Sequence, residues 1–232
     1  MTYLELCQAM AIEAGISGGI VSVSGQVGEA ARVVRWVARA YNYIQNLNDE
    51  WSFLRRDVQF STTAGISAAA GKYAAVDVVE LGTFGRWRFK DGWRTFLTAA
   101  GYADEQPLEF VDYDTFRRLY GYGSARLQTG RPQVVTEAPD RSLLLWPLPN
   151  ADYTVVGEQY RAPAIMATDT DAPIFDARYH NTVMYRALFY YGQFEGDAPV
   201  MATAQSECDR ELEPMEATYL PKLFVGGCGA LA

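Results

Sequence analysis

The sequence predicts an α+β protein: an α-helical bundle built from N- and C-terminal helices and interrupted by an antiparallel β subdomain. Two observations carry that expectation. Large apolar side chains recur at steps of three and four residues in 26–48 and again in 179–219, the period of one helix face. Between these stretches, over 55–160, the pattern changes to short runs rich in Val, Thr and aromatic residues, parted by Gly, Asp-Gly and small polar residues, the composition of strands and turns. The expected divisions are an N-terminal helical part, 1–54, a β-rich insertion, 55–165, a C-terminal helical part, 174–219, and a tail, 220–232.

The first helix is announced by Thr2 and Glu5, spaced as a capping box, with Leu4, Cys7, Ala11 and Ile12 as its apolar stripe and Gly15 as its stop. The connector over 15–25 is rich in Gly and Ser, but it lacks the lysine of a phosphate-cradling loop and the spacing of a dinucleotide fingerprint. It reads as a flexible loop. The second helix spans 26–48, with Ser24 and Gly25 as candidate caps and Asp49 and Glu50, unfavourable at a helix C-terminus, marking its end. Val33, Trp36, Val37, Tyr41, Ile44 and Leu47 form its apolar side, over which Trp51, Phe53 and Leu54 fold back. Arg32, Arg35 and Arg39 make a row on the other side, read as a solvated face.

In the insertion, the runs after Arg55, around Lys72 and around Trp87 and Trp93 are strands, with Lys90, Asp91 and Gly92 as a hairpin turn. A short helix follows, capped by Asp112 or Asp114 and closed by Gly121. Three more strands are expected at 133–137, 142–146 and 153–160, with turns at Pro139 and over 147–152. Helical spacing returns at Tyr179, Val183, Met184, Ala187, Tyr190, Tyr191 and Phe194 and breaks at Gly196. Asp197, with Pro199 close behind, starts a last helix to about Tyr219; Met201, Ala204, Cys208, Leu212 and Met215 are its apolar side, Glu207, Asp209, Glu211, Glu213 and Glu216 its acidic side, and Pro214 a kink.

Composition narrows the function. The 49% hydrophobic content of 232 residues supplies a core, and no apolar run reaches the length of a membrane span or a signal peptide. The expected site of assembly is a cytosol, with Cys7, Cys208 and Cys228 reduced, because three scattered cysteines suit neither a disulfide framework nor a zinc site. The net charge of -8 is terminal in origin: residues 164–232 carry four Lys/Arg against ten Asp/Glu, while 55–163 are balanced. That balance opposes direct affinity for nucleic acid and suits a wall past which DNA slides. No metal, cofactor or catalytic residue is expected. A single histidine, His180, is read as structural, and the D-x-D pairs Asp112/Asp114 and Asp169/Asp171 as caps or turn formers.

The order of these signals resembles the head-to-tail adaptor proteins of tailed bacteriophages, also called head completion or connector proteins. The resemblance lies in TYLELCQAMAIEAGISG, GEAARVVRWVARAYNYIQ leading into DEWSFLRRDVQF, GRPQVV, LLLWPLPNADYTVVGEQYRAP and DAPIFDARYHNTVMYRALFYYG. Its most telling run passes from Gly130 through Pro147, Pro149, Tyr153 and Tyr160 to Tyr179 and His180. It implies a non-enzymatic virion protein of the neck, between head and tail, forming a homo-oligomeric ring that is dodecameric if it follows portal symmetry. Its partners would be itself, the portal protein and a tail or neck protein, with DNA passing through without specific binding. In that setting Glu207, Glu211 and Glu213 are candidates to face the channel. Leu220, Pro221, Leu223, Phe224, Val225, Gly226 and Gly227 are candidates to dock on the portal, an apolar cluster followed by permissive backbone. A hydrolase or a carbohydrate-binding virion module is the alternative.

Overall fold

The structure, a computed structural model, describes residues 1–64, 71–74, 78, 83–90 and 92–221. It is α+β, with five α-helices and two main sheets among the described residues. The chain divides into two compact units, one made of 1–53 with 163–232 and the other of 54–162.

The first unit holds helices α1 (Tyr3–Glu13), α2 (Gly28–Leu47), α4 (His180–Glu195) and α5 (Ala198–Tyr219). The capping box is present in both directions: Glu5 N–H donates to Thr2 Oγ1 at 3.3 Å, and Thr2 N–H donates to Glu5 Oε2 at 2.8 Å. α1 ends at Glu13, with Ala14 as its C-cap and Gly15, at φ +66°, just beyond. The connector is tied down: Ile20 and Val23 are buried, and the Asp169 carboxylate accepts from Val23 N–H at 2.6 Å and Ser22 Oγ at 3.1 Å. α2 starts later than the caps Ser24 and Gly25 suggest, with Val27 at the N-cap and no side-chain cap bond.

α4 packs against α1, α2 and α5. Gly196, at φ +74°, supplies the left-handed residue that ends it. Asp197 then caps α5, accepting from Val200 N–H at 3.1 Å, and α5 runs on through Pro214. Val33, Val37, Tyr41 and Ile44 of α2 are buried, as are Val183, Ala187, Ala204, Cys208 and Met215. Trp51 is fully buried, stacked on Phe53 and donating its indole N–H to Ile44 O at 3.0 Å, as a buried indole must donate somewhere.

The second unit is built on strand β11 (Tyr153–Arg161). β1 (Arg55–Ser61) lies antiparallel on one side of it, while β3 (Phe84–Arg88) and β4 (Arg94–Leu97) share the other, opposite 158–161 and 153–156 respectively. The hairpin expected at Lys90, Asp91 and Gly92 is therefore corrected: residue 91 lies outside the described residues, but β3 and β4 pair with β11 rather than with each other. The physical reason is Trp93, which enters the gap between the two registers, lies over Gly157, and donates its indole N–H to Arg88 O at 2.7 Å. The short β5 (Gln106–Pro107) pairs antiparallel with β4. A second sheet has β8 (Val134–Glu137) and β9 (Leu143–Trp146) antiparallel at its centre, flanked by the two-residue strands β2 (Lys72–Tyr73) and β6 (Glu109–Phe110). The β6 pair with β8 is parallel, as is a small pair joining β7 (Thr129–Gly130) to β10 (Leu148–Pro149). Val58, Trp87, Trp93 and Val155 from the first sheet and Val135, Leu143 and Leu145 from the second form one core. The short helix α3 (Tyr113–Tyr120) is capped by Asp112, which accepts from Thr115 N–H at 3.0 Å.

Candidate functional site

The chemistry of the first unit is concentrated along α2. Arg32, Arg35 and Arg39 fall at i, i+3 and i+7, one stripe along a helix of 3.6 residues per turn. All three are exposed, as a solvated face should be. Two are also held: Arg32 lies over Phe194 at 4.5 Å and Arg39 over Tyr190 at 4.2 Å, both rings belonging to α4. Trp36, between them, meets Tyr191 and Phe194 edge-on and tilted. From α4, Arg186 continues the pattern, 4.0 Å over Tyr43. Cation–π contacts of this kind fix a guanidinium without neutralising it. Sequence reasoning missed the stacking because it depends on the Tyr190, Tyr191 and Phe194 run of a helix about 150 residues away; the spacing of that run against the arginines was its only trace.

Beside the row is an open cleft of about 700 Å³, with Ala38, Tyr43 and Tyr190 on one side and Ala164, Ile165 and Met166 on the other. Gln45 does not line the cleft but holds the segment that does. This side chain is 1% exposed, donates to Ala164 O at 3.0 Å and accepts from Ala164 N–H at 2.7 Å. The amide thus clamps the chain as a strand partner would, burying Met166 and leaving Ile165 outside at 81% exposure. Ile165 thus stands beside the arginines as an exposed aliphatic side chain at the edge of the cleft.

The acidic residues of α5 do not share one face. At roughly 100° per residue, Glu213 stands about 120–160° round the helix from Glu207 and Glu211. Asp209, Glu213 and Glu216 line a pocket with Tyr43 and Leu47 of α2 and Arg186 of α4. Within it Asp209 accepts from Gln205 at 2.7 Å and Glu216 from Asn48 at 3.2 Å. Glu207 and Glu211 occupy the other flank, where Arg210 pairs with Glu207. Of the residues expected to dock on the portal, Leu220 is half-buried and Pro221 exposed. Leu223, Phe224, Val225, Gly226 and Gly227 lie outside the described residues.

Of the D-x-D pairs, Asp112 caps a helix, Asp169 holds the connector before α2, and Asp171 forms a turn. Asp171 accepts from Ala167 N–H at 2.6 Å, Thr168 N–H at 2.8 Å and Thr168 Oγ1 at 2.6 Å, bonds that hold its carboxyl below the usual range. Burial pushes the Cys7 thiol up to about 12 and that of Cys208 up to about 11, so neither is a thiolate at neutral pH. His180, 4% exposed, has Nε2 3.1 Å from Phe175 O and Nδ1 2.7 Å from the Met1 amine. With the amine as donor, Nδ1 carries a lone pair and Nε2 the proton.

Burial lowers the His180 pKa, and the Met1 ammonium lowers it further against the raising effects of Phe175 O and Asp176. Because the folded form resists protonation, this group's contribution to stability is complete above the unfolded value of about 6.5 and declines as pH falls below it. The urea midpoint should drop between pH 7.5 and pH 5.5, and His180→Gln should flatten that dependence. An equally steep profile in the variant would refute the assignment.

A family sequence profile described as SU10 adaptor protein matches residues 1–219. No curated protein matches the chain. The match passes through both units and ends on the last residue of α5, so 220–232 lie beyond it.

Proposed function

Since the chain belongs to the SU10 adaptor protein family, we propose that it acts as a ring-forming structural adaptor of a bacteriophage virion, joining the portal to a tail or neck protein. The ring continues the DNA path in the neck and is assembled in the host cytoplasm, with twelve copies if it follows the portal. The observation that carries this reading is the family match across both units, 1–219. Identical subunits joined through unlike surfaces close into rings, and the cleft beside Ile165 and the acidic flanks of α5 are unlike surfaces of one unit. No helix is long and apolar enough to cross a membrane among the described residues. The test is mass measurement and particle imaging of the full chain with and without its portal: rings on the portal are expected, and a chain that stays monomeric with portal present refutes the reading.

Portal attachment is assigned to the C-terminal segment that begins at Leu220 and Pro221 and continues through Leu223, Phe224, Val225, Gly226 and Gly227. Three large apolar side chains, each worth roughly 1.5–3 kcal/mol when fully buried, would be repeated in every subunit, so weak single contacts add. Deleting 221–232 should leave helix content unchanged and abolish portal binding, giving heads that lose DNA. A truncated protein that still docks overturns the assignment.

A further inference from the structure

We propose that the arginine row of α2 receives α5 of a second copy, with Glu207 and Glu211 as the carboxylates that meet it. This rests on the ring reading above and names its contact.

The row is a stripe of three cations on one helix face with no ion pair of its own. Among the described residues Arg55 and Arg88 pair with Glu158, Arg131 with Asp104, and Arg178 with Asp176, whereas Arg32, Arg35 and Arg39, like Arg94, Arg117 and Arg118, have no carboxylate partner, and of these the three in the row alone line up at i, i+3 and i+7. They stay unpaired in a protein of net charge -8. Two of them are fixed over rings, so their charges are presented in place and less side-chain freedom is lost when a partner arrives. The cleft beside them is largely apolar, with Ile165 standing out of it. A phosphate backbone would satisfy the charges but cover none of that surface. A helix with a carboxylate edge satisfies both.

The same chain supplies such a helix. α5 carries five acidic residues and one arginine, and its two flanks are not equivalent. Asp209, Glu213 and Glu216 face the side of the copy's own α2 and Arg186. Glu207 and Glu211 are turned away from that side and cannot reach their own row, which leaves them for a neighbour. Spacings agree at Arg35 and Arg39, which are four residues and about 6 Å apart along their helix, as are Glu207 and Glu211 along theirs, at 1.5 Å per residue. Arg210 competes for Glu207 and is the contact that must yield, but it is one cation against two carboxylates. A row on one side of the unit and its complement on another give a head-to-tail contact, the kind that closes a ring. Glu207 and Glu211 then lie between subunits and not on a channel wall.

The test uses the full chain, alone and with portal, sized by light scattering and particle imaging, with circular dichroism to confirm folding. Arg35→Glu, which disturbs no ring contact, and the pair Arg35→Glu with Arg39→Glu should each weaken assembly, the pair at least tenfold. Glu207→Lys with Glu211→Lys should do the same. Combining all four substitutions restores complementarity and should restore assembly, and wild-type assembly should weaken as salt is raised. Wild-type rings in the Arg35→Glu, Arg39→Glu variant, or no rescue in the fourfold variant, overturn the contact while the ring reading stands. A duplex DNA probe whose binding falls with Arg35→Glu while ring size is unchanged overturns it in favour of phosphate contact. A wild-type chain that never assembles with portal overturns the ring reading itself.

Discussion

Gly157→Val is expected to cost the second unit about 3 kcal/mol or more, the upper range for overpacking a core. A Cβ at position 157 would lie 2.5 Å from Cδ2, Cε2 and Cε3 of Trp93. The ring has nowhere to retreat. Its N–H is bonded to Arg88 O, it stacks with Phe89 at 5.5 Å, and it meets Trp87 edge-on at 5.6 Å. Backbone movement is also opposed, because Gly157 is paired with Val58 of β1 in mid-strand. The urea midpoint should fall and the near-ultraviolet signal of the packed tryptophans should weaken, with Gly157→Ala showing a smaller change of the same sign. Gly157→Ala with Trp93→Leu should cost less than the sum of the two single changes, because the smaller side chain vacates the space the methyl needs. An additive result would refute the steric account.

Gln45→Leu is expected to cost about 2–4 kcal/mol, since it keeps the volume but strands the N–H and C=O of Ala164, each worth roughly 1–3 kcal/mol when buried without a partner. The loss should be local first. Proteolysis near 163–166 should rise before the helices melt, because the segment would no longer be held to α2. Ile165 would then lose its fixed position beside the arginines, so assembly should weaken as well. A variant as protease-resistant as the wild type would show that packing of Met166 and Phe175, not the amide clamp, holds the segment.

Local signals were legible in the sequence, and distant ones were not. The Thr2–Glu5 box, the Asp112 and Asp197 caps and the strands at β8, β9 and β11 all depend on neighbours within a few residues, and all stand where spacing places them. α2 starts two residues past the expected position, at Gly28 with Val27 as N-cap, and the connector before it is held by Asp169, about 140 residues away. The hairpin at Lys90 failed because β3 and β4 each pair with β11, with Trp93 lying over Gly157 between the two registers. The arginine row was visible as charges on a helix face. Its stacking and its cleft were not, since both are made by residues more than 100 positions away, at Ala164 and Tyr190.

The bonds from 163–171 back to the N-terminus bear on the order in which the chain can fold as it is made. Tyr3 N–H donates to Asp171 O at 2.6 Å, Leu4 N–H to Asp169 O at 3.3 Å, Val23 N–H to the Asp169 carboxylate, and Gln45 holds Ala164. None of these partners exists while α1 and α2 leave the ribosome. About 110 further residues must be translated first, roughly 5–20 s at ordinary elongation rates. The second unit is contiguous and can close during that interval, whereas the first pair of helices must wait with the apolar side of α2 open to water. Final closure of the first unit, and with it the fixing of the arginines over the rings of α4, belongs to the last third of synthesis, so a nascent chain cannot present a finished docking face before α4, the helix just ahead of its own acidic helix, has emerged.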